Sequence, residues 1–517
     1  MEVIPVIPTD QQKPIDNIRT RVFFIVDSRL DESVLRSGLD DLIRNHWRKL
    51  GARLFTRPGD NKHGLLEYRL PKTFDDDYQL FEWSATEYDH VIDKSDHLRF
   101  FNDPPAAEKG VTLLDSIKDV DKFVRPPTWP FERKDEPAGG APMLYVHLSL
   151  YTDATVIALG LPHVLADQMG VANIMRAWLG LAYENTAPPE MIGYNEDVFQ
   201  TPTTKNYTDY PHNEIYRKGK TKVRNGWEYI FVIMGFLPEL MLRRTETRHI
   251  VFLPRPMLEG LKERYRKELA AQYGADPGLS TGDVVSAILT KVCSPSLYIA
   301  AMVRWANVEI KFSRMADKKD RTLTLSQLVN LRGRHPNLKS PLKQRSYIHN
   351  GLAYVSARFR ITSTTPVREI AYQNRQAINS ATPEEIEMGQ AVMREQVRLG
   401  QASHICEPFE RSYFVTNWCL AWKGLEDIFP SSVSAAAGNV SEKDTEKEKT
   451  ESTTTINAVK RKLMVLGHSM EKATPNRFNT TIMCQTPEGV WCDFAANEKA
   501  MKLVKEYIKT DPMLEKF

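Results

Sequence analysis

The chain has 517 residues, 42% of them hydrophobic, which is more than one core organises and points to two large domains. Its 69 basic and 66 acidic residues leave a formal charge of +3, too even a balance for the broad basic field that nucleic-acid binding needs. Five cysteines (Cys293, Cys406, Cys419, Cys484 and Cys492) are odd in number and never at CxxC spacing, which argues against a disulfide framework or a zinc knuckle and fits a reducing, cytoplasmic setting.

The opening "MEVIPVIPTDQQKP" has no basic n-region and no apolar h-region, so secretion is not expected. The sequons at Asn206, Asn439 and Asn479 are then expected to stay unused. "RVFFIVD" (Arg21 to Asp27) reads as a strand, after which Leu35, Leu39, Leu42 and Ile43 recur at helical spacing. "MLYVHLSLY" and "ATVIALGLP" read as a hairpin or as neighbouring strands joined by "TDA". The second runs into "HVLADQMG", where Val171, Ile174, Met175, Trp178, Leu181 and Ala182 begin a helical face. His163 therefore falls between a strand end and a helix start. HxxxD spacing alone recurs by chance in a chain with 12 histidines. The junction is what favours chemistry over a satisfied structural histidine, because loop residues on a rigid scaffold commonly carry function.

A polar, Pro-containing stretch from Pro188 to Lys222 divides the chain, which suggests domains at 1–215 and 249–517 joined by a crossover at 216–248. Within the crossover, the apolar run from Tyr229 to Leu237 is shorter than the roughly 20 residues of a spanning helix. It reads first as a helix packed between the domains and second as an interfacial membrane helix flanked by Lys and Arg.

The second half repeats the alternation. "HIVFL", "TLTLSQLVNLRGR", "YVSARFRIT", "RSYFVTNWCLAW", "KLMVLG" and "FNTTIMCQTPEGVWCDF" read as strands. Helices are expected in "PRPMLEGLKERYRKELA", in "STGDVVSAILTKVC" with Ser280 or Thr281 as cap, after Thr365 and Pro366, and in "NEKAMKLVKEYI". The segment from Ser441 to Thr455 has no hydrophobic residue and is expected to be a disordered insertion. The fold class is accordingly α/β or α+β.

Competing chemistry lacks its motifs. "LGHSME" around Ser469 is no nucleophile elbow, because Glu471 stands where GxSxG needs glycine. Neither a P-loop, an HExxH nor a GxGxxG after a strand occurs, so no metal is expected.

The order of "HVLADQMG", "STGD", "VNLRGR", "YIHNGLAYV", "REIAYQNRQAIN" and "VTNW" resembles the BAHD family of coenzyme A-dependent acyltransferases, its fungal secondary-metabolite branch above all. The likeness runs through nearly the whole chain. It implies two chloramphenicol-acetyltransferase-like domains with an active-site tunnel between them, a monomer, and acyl-CoA as co-substrate with no bound cofactor. His163 matches the general base, taking a proton from an acceptor hydroxyl as it attacks the thioester, without an acyl-enzyme. Asp167 matches the aspartate that supports the histidine loop through an arginine, for which Arg332 stands in the corresponding place. Thr416 and Trp418 match the acceptor side of the tunnel, with strand packing as the alternative for Trp418, and Ser280 and Thr281 match a CoA contact. Two departures mark this sequence: Gln168 follows the aspartate where glycine is common, and the late DFGWG is replaced by "EDIFPSS", with Asp427 as its relic. The implied activity is O-acylation of a small natural product. A proton-shuttling cyclase, isomerase or lyase on the same fold is the second reading, and a non-catalytic binding protein the third.

Overall fold

The structure is a computed structural model that describes residues 1–58, 64–242, 244–293, 321–338, 345–362, 364–403, 406–429, 461–472 and 474–516. The charged segment from Ser441 to Thr455 lies outside the described residues. The chain starts with β1 (Glu2–Pro5) and β2 (Arg19–Val26), and all eight residues of β2 are buried. α1 (Glu32–Asp41) is started by Asp31, whose carboxylate accepts the amides of Ser33 and Val34. β3 (Arg53–Thr56), β4 (Leu66–Leu70), β5 (Glu82–Glu87), the short β6 (Thr112–Leu113) and α2 (Ile117–Val124) follow. β7 (Tyr145–Leu150) and β8 (Thr155–Pro162) form the expected hairpin, closed by the Tyr151 amide on the Ala154 carbonyl. α3 (Gln168–Glu184), β9 (Glu190–Ile192), α4 (His212–Ile215) and α5 (Gly226–Leu242) complete this half.

Beyond the crossover come β10 (Glu246–Pro254), α6 (Arg255–Tyr273), α7 (Thr281–Cys293), β11 (Arg321–Asn330), β12 (Arg345–Tyr347) and β13 (Leu352–Ile361). Next are α8 (Val367–Asn379), α9 (Pro383–Arg398), β14 (Arg411–Asn417) and the single turn α10 (Cys419–Trp422). Extended structure was expected throughout "RSYFVTNWCLAW", but the strand stops at Asn417, whose side chain accepts the Cys419 amide and turns the chain. β15 (Leu463–Ser469), β16 (Asn479–Gln485), β17 (Gly489–Asn497) and α11 (Glu498–Thr510) close the fold.

Two large mixed sheets, each with a core of its own, organise most of these elements into an α/β architecture, with β1, β4 and β3 in a small antiparallel sheet and β9 paired with β12. The first has the order β15-β2-β8-β7-β5 and the second β13-β11-β14-β16-β17-β10-β6. Neither sheet respects the division at 215 and 249. β15, from the second half, pairs antiparallel with β2 over Leu463 to Ser469, and β6, from the first half, pairs with β10. The first core likewise includes Trp418, Trp422 and Trp491 from the second half.

α5 departs from the expectation of a helix packed between domains. Val232 is 2% exposed, yet Ile230 is 46% and Trp227 74% exposed, and Phe231, Ile233, Met234 and Met241 also face outward. An apolar run without a polar face reads as fully buried, whereas only one side of this helix is covered among the described residues. No helix among them is long and apolar enough to cross a membrane. The two faces predict opposite outcomes: Val232→Asp should cost several kcal/mol of stability by burying an unpaired charge, on the order of 3 or more, and Ile230→Asp about zero. Urea unfolding of the two variants measures the difference.

Candidate active site

β8 ends at Pro162, and the His163 amide donates to the Ile18 carbonyl at 2.9 Å, extending the pairing with the lead of β2 by one residue. The chain then turns through 163–167 into α3. Asp167 caps that helix, accepting the Gly170 amide at 2.8 Å. Gly170 meets a second demand, since a Cβ there would stand 1.7 Å from the Ile348 carbonyl oxygen. Only glycine lets the first turn of α3 press so closely on the 347–351 segment. The glycine three residues past the aspartate thus has a packing reason in this fold.

Asp167 is 2% exposed and faces away from solvent. Arg332 grips it with two bonds, Nη1 to Oδ2 at 2.9 Å and Nη2 to Oδ1 at 3.0 Å, and the Gly351 amide adds a third at 2.9 Å. The remaining guanidinium hydrogens go to the Tyr347 carbonyl (3.1 Å), the Asn330 side-chain oxygen (3.2 Å) and the His349 carbonyl (2.6 Å). All five N–H groups of Arg332 are therefore used. A desolvated pair is tolerated only under such full satisfaction.

His163 keeps partial access while Pro162 and Val164 on either side are buried. Burial pushes its pKa below the ordinary imidazole value. Its own backbone carbonyl, the Asp167 charge and Asn350 act in the opposite sense and do not cancel the shift. The ring is therefore neutral at physiological pH. Its Nδ1 makes no hydrogen bond of good geometry among the described residues. The loop that carries it is held through three successive carbonyls: His163 by Asn350 Nδ2 (2.9 Å), Val164 by the Tyr68 hydroxyl (3.1 Å) and Leu165 by His349 Nδ1 (2.9 Å). Lys49 donates to His349 Nε2 at 3.1 Å, which fixes the hydrogen of that imidazole on Nδ1. Nothing in "YIHNG" as a sequence assigns His349 or Asn350 a task, and no local pattern points to Tyr68.

The remaining residues singled out in the sequence sit on other elements of the fold. Thr416 is half-buried on β14 opposite Thr481 of β16. Trp418 is 5% exposed, its amide on the Ile482 carbonyl and its ring in the first core. Ser280 caps α7, and its amide and hydroxyl both donate to Asp283 Oδ2 at 2.7 Å, with Asp283 in turn held by Asn374 and Arg375. Thr281 is the first residue of that helix, and Asp427 ends a one-turn 3-10 helix (Leu425–Asp427). Ser469 ends β15 with its Oγ 2.8 Å from that of Thr20 and 3.4 Å from Gln168 Nε2, a strand-end serine with no elbow around it. No group of three His, Cys, Asp or Glu among the described residues is arranged to hold a metal ion.

No family profile matches the chain. Its curated relatives are fungal proteins. It is 26% identical to the acetyltransferase adrJ of Penicillium rubens, over 82% of this chain and 81% of that one. It is 27% identical to a Penicillium decumbens protein named transcriptional regulator calD, over 76% and 74% of the two chains. Among solved structures, TRI101 of F. sporotrichioides in complex with coenzyme A and T-2 superposes with a TM-score of 0.60 at 13% identity, over 98% of this chain and 97% of that one. Vinorine synthase does so with a TM-score of 0.53 at 13% identity, over 97% and 92%. The chain thus shares its fold along nearly the full length with TRI101 and vinorine synthase, and in sequence it is similar to fungal proteins named as acetyltransferases.

Proposed function

We propose that the protein transfers an acyl group, acetyl by analogy with its relatives, from acyl-CoA to a hydroxyl of a small natural product, with His163 as general base. The observation that carries this reading is a neutral, partly accessible imidazole on a loop bonded at three successive carbonyls. Neutral imidazole can accept a proton near physiological pH, and a rigid loop limits the loss of orientation on which such transfer depends. The acceptor O–H gives its proton to His163 as the oxygen attacks the thioester carbonyl. The tetrahedral oxyanion then collapses, the C–S bond breaks, and the imidazolium returns the proton to the departing thiolate. Free CoA and the ester are released, and no bond to the protein forms.

Asp167 and Arg332 support the base without touching substrate. Thr416 and Trp418 remain candidates for the acceptor wall, and Ser280 and Thr281 for a CoA contact. The acceptor class proposed is supported by the relatives, which include O-acyltransferase pboC of Aspergillus ustus, and by TRI101, solved with a mycotoxin. The free cysteines at 406, 419, 484 and 492 support a reducing compartment such as the cytoplasm. No observation favours the cyclase, isomerase or lyase alternative.

Release of free thiol from acetyl-CoA, followed with a panel of hydroxylated natural products, tests the activity. His163→Ala should fold as the wild type does and lose at least about a hundredfold in kcat, and retention of turnover would remove the base assignment. Because the folded His163 titrates below 6.5, kcat should rise with pH through an inflection under that value and then level off. A pH–rate profile measured on the saturated enzyme gives the inflection directly. Asp167→Asn takes one charge from a buried pair and should cost about 3 kcal/mol in chemical denaturation, with kcat falling in step.

A further inference from the structure

Behind the His163 loop lies a charged layer for which the acyl-transfer scheme has no use. Asp10 ends a one-turn 3-10 helix (Pro8–Asp10) and is almost wholly buried. One oxygen of its carboxylate, Oδ1, accepts both the backbone amide of Asn350 at 3.0 Å and its side-chain Nδ2 at 3.1 Å. Nδ2 has a second hydrogen, which goes to the His163 carbonyl at 2.9 Å. An amide side chain has nearly the same shape when turned over, so its orientation is set by what surrounds it. Turned over here, Asn350 would put its oxygen against two other acceptors, Asp10 Oδ1 and the His163 carbonyl. Asp10 therefore excludes the flip.

Other groups face Asp10 as well. His349 Nδ1 stands 3.8 Å from its Oδ2, and the cation of Lys49 lies beyond that imidazole. Asp197, Tyr68 and Tyr347 share the same low-dielectric interior. Burial pushes the Asp10 carboxyl up to about 8, with the Asn350 bonds and Lys49 drawing it down. Ionised or not, the group keeps an oxygen that accepts from Asn350.

We propose that Asp10 is a positioning residue for acyl transfer: it locks the Asn350 amide with its NH2 on the His163 carbonyl, fixing the peptide plane that leads out of His163 and hence the aim of the imidazole. The inference rests on the reading of His163 as the base. A misaimed base weakens the transition state while leaving ground-state binding of either substrate alone, so the effect falls on kcat.

The test is steady-state kinetics on purified full-length variants with acetyl-CoA and an accepted hydroxyl substrate, alongside a thermal melt. Asp10→Ala should lower kcat about tenfold or more with both KM values within about twofold of wild type. Asp10→Asn keeps an oxygen in the Oδ1 position and should restore kcat to within about threefold. Asn350→Ser retains its backbone bond to Asp10 but falls short of the His163 carbonyl. It should match Asp10→Ala, and the double variant should be no worse than either. If Asp10→Ala does not accumulate as folded protein, Asn350→Ser alone decides. Wild-type kcat in Asn350→Ser, a loss confined to KM, or Asp10→Asn as impaired as Asp10→Ala would each overturn the inference. An active His163→Ala removes the base reading itself, whereas an inert His163→Ala beside a fully active Asp10→Ala overturns the positioning role alone.

Discussion

The arrangement hangs on one desolvated ion pair. Asp167 is at once the cap of α3 and the acceptor for Arg332, so the helix start, the histidine loop and the 347–351 segment meet at one carboxylate. A buried charge pair is seldom a net source of stability, because desolvation consumes most of the Coulombic gain. What it supplies here is a unique geometry. Arg332 has no hydrogen left over, and any shift of the loop against the second sheet would strand at least one donor in the interior. Gly170 enforces the same docking sterically, through contact with the Ile348 carbonyl.

This division of labour leaves His163 free of the ion pair. Its loop is fixed through backbone carbonyls while the ring Nδ1 makes no hydrogen bond of good geometry among the described residues, which suits the proposed taking and returning of a proton. A direct carboxylate partner would raise its pKa, opposing the burial that keeps it neutral. With Asp167 turned toward Arg332, its charge raises the imidazole pKa by less than burial lowers it.

Much of this was legible in the sequence where the signal is local. The hairpin before His163, the helical face from Val171 and the junction between them follow from periodicity, which is a property of a short window. The tertiary partners of the loop were not so accessible. Tyr68, His349 and Asn350 come from two distant segments, and no spacing rule ties a tyrosine in one strand to a carbonyl about a hundred residues away. Arg332 was found only through the order of blocks shared with a family. α5 shows the opposite failure: a continuous apolar run reports hydrophobicity and stays silent on which side is covered, so Ile230 and Val232 looked alike. "RSYFVTNWCLAW" reads as all strand because the turn made by Asn417 depends on a single side-chain bond.

The crossing of β15 into the first sheet bears on how the molecule comes into being. β2 lies second from the edge of that sheet, with β8 on one side and β15 on the other, and β15 ends only at Ser469 of 517 residues. On a ribosome, β2, the neighbour of the strand that leads into the His163 loop, keeps an open edge until most of the polypeptide has been made. Pairing of such long sequence separation pays its loop-closure entropy before any contact rewards it, so the sheet closes late and slowly. Through that interval the apolar β2 is a template for any other nascent strand nearby. The same crossing that ties the two halves of the molecule together thus makes its synthesis a race between completing the chain and aggregating, one in which translation speed and chaperone supply set the yield of folded protein.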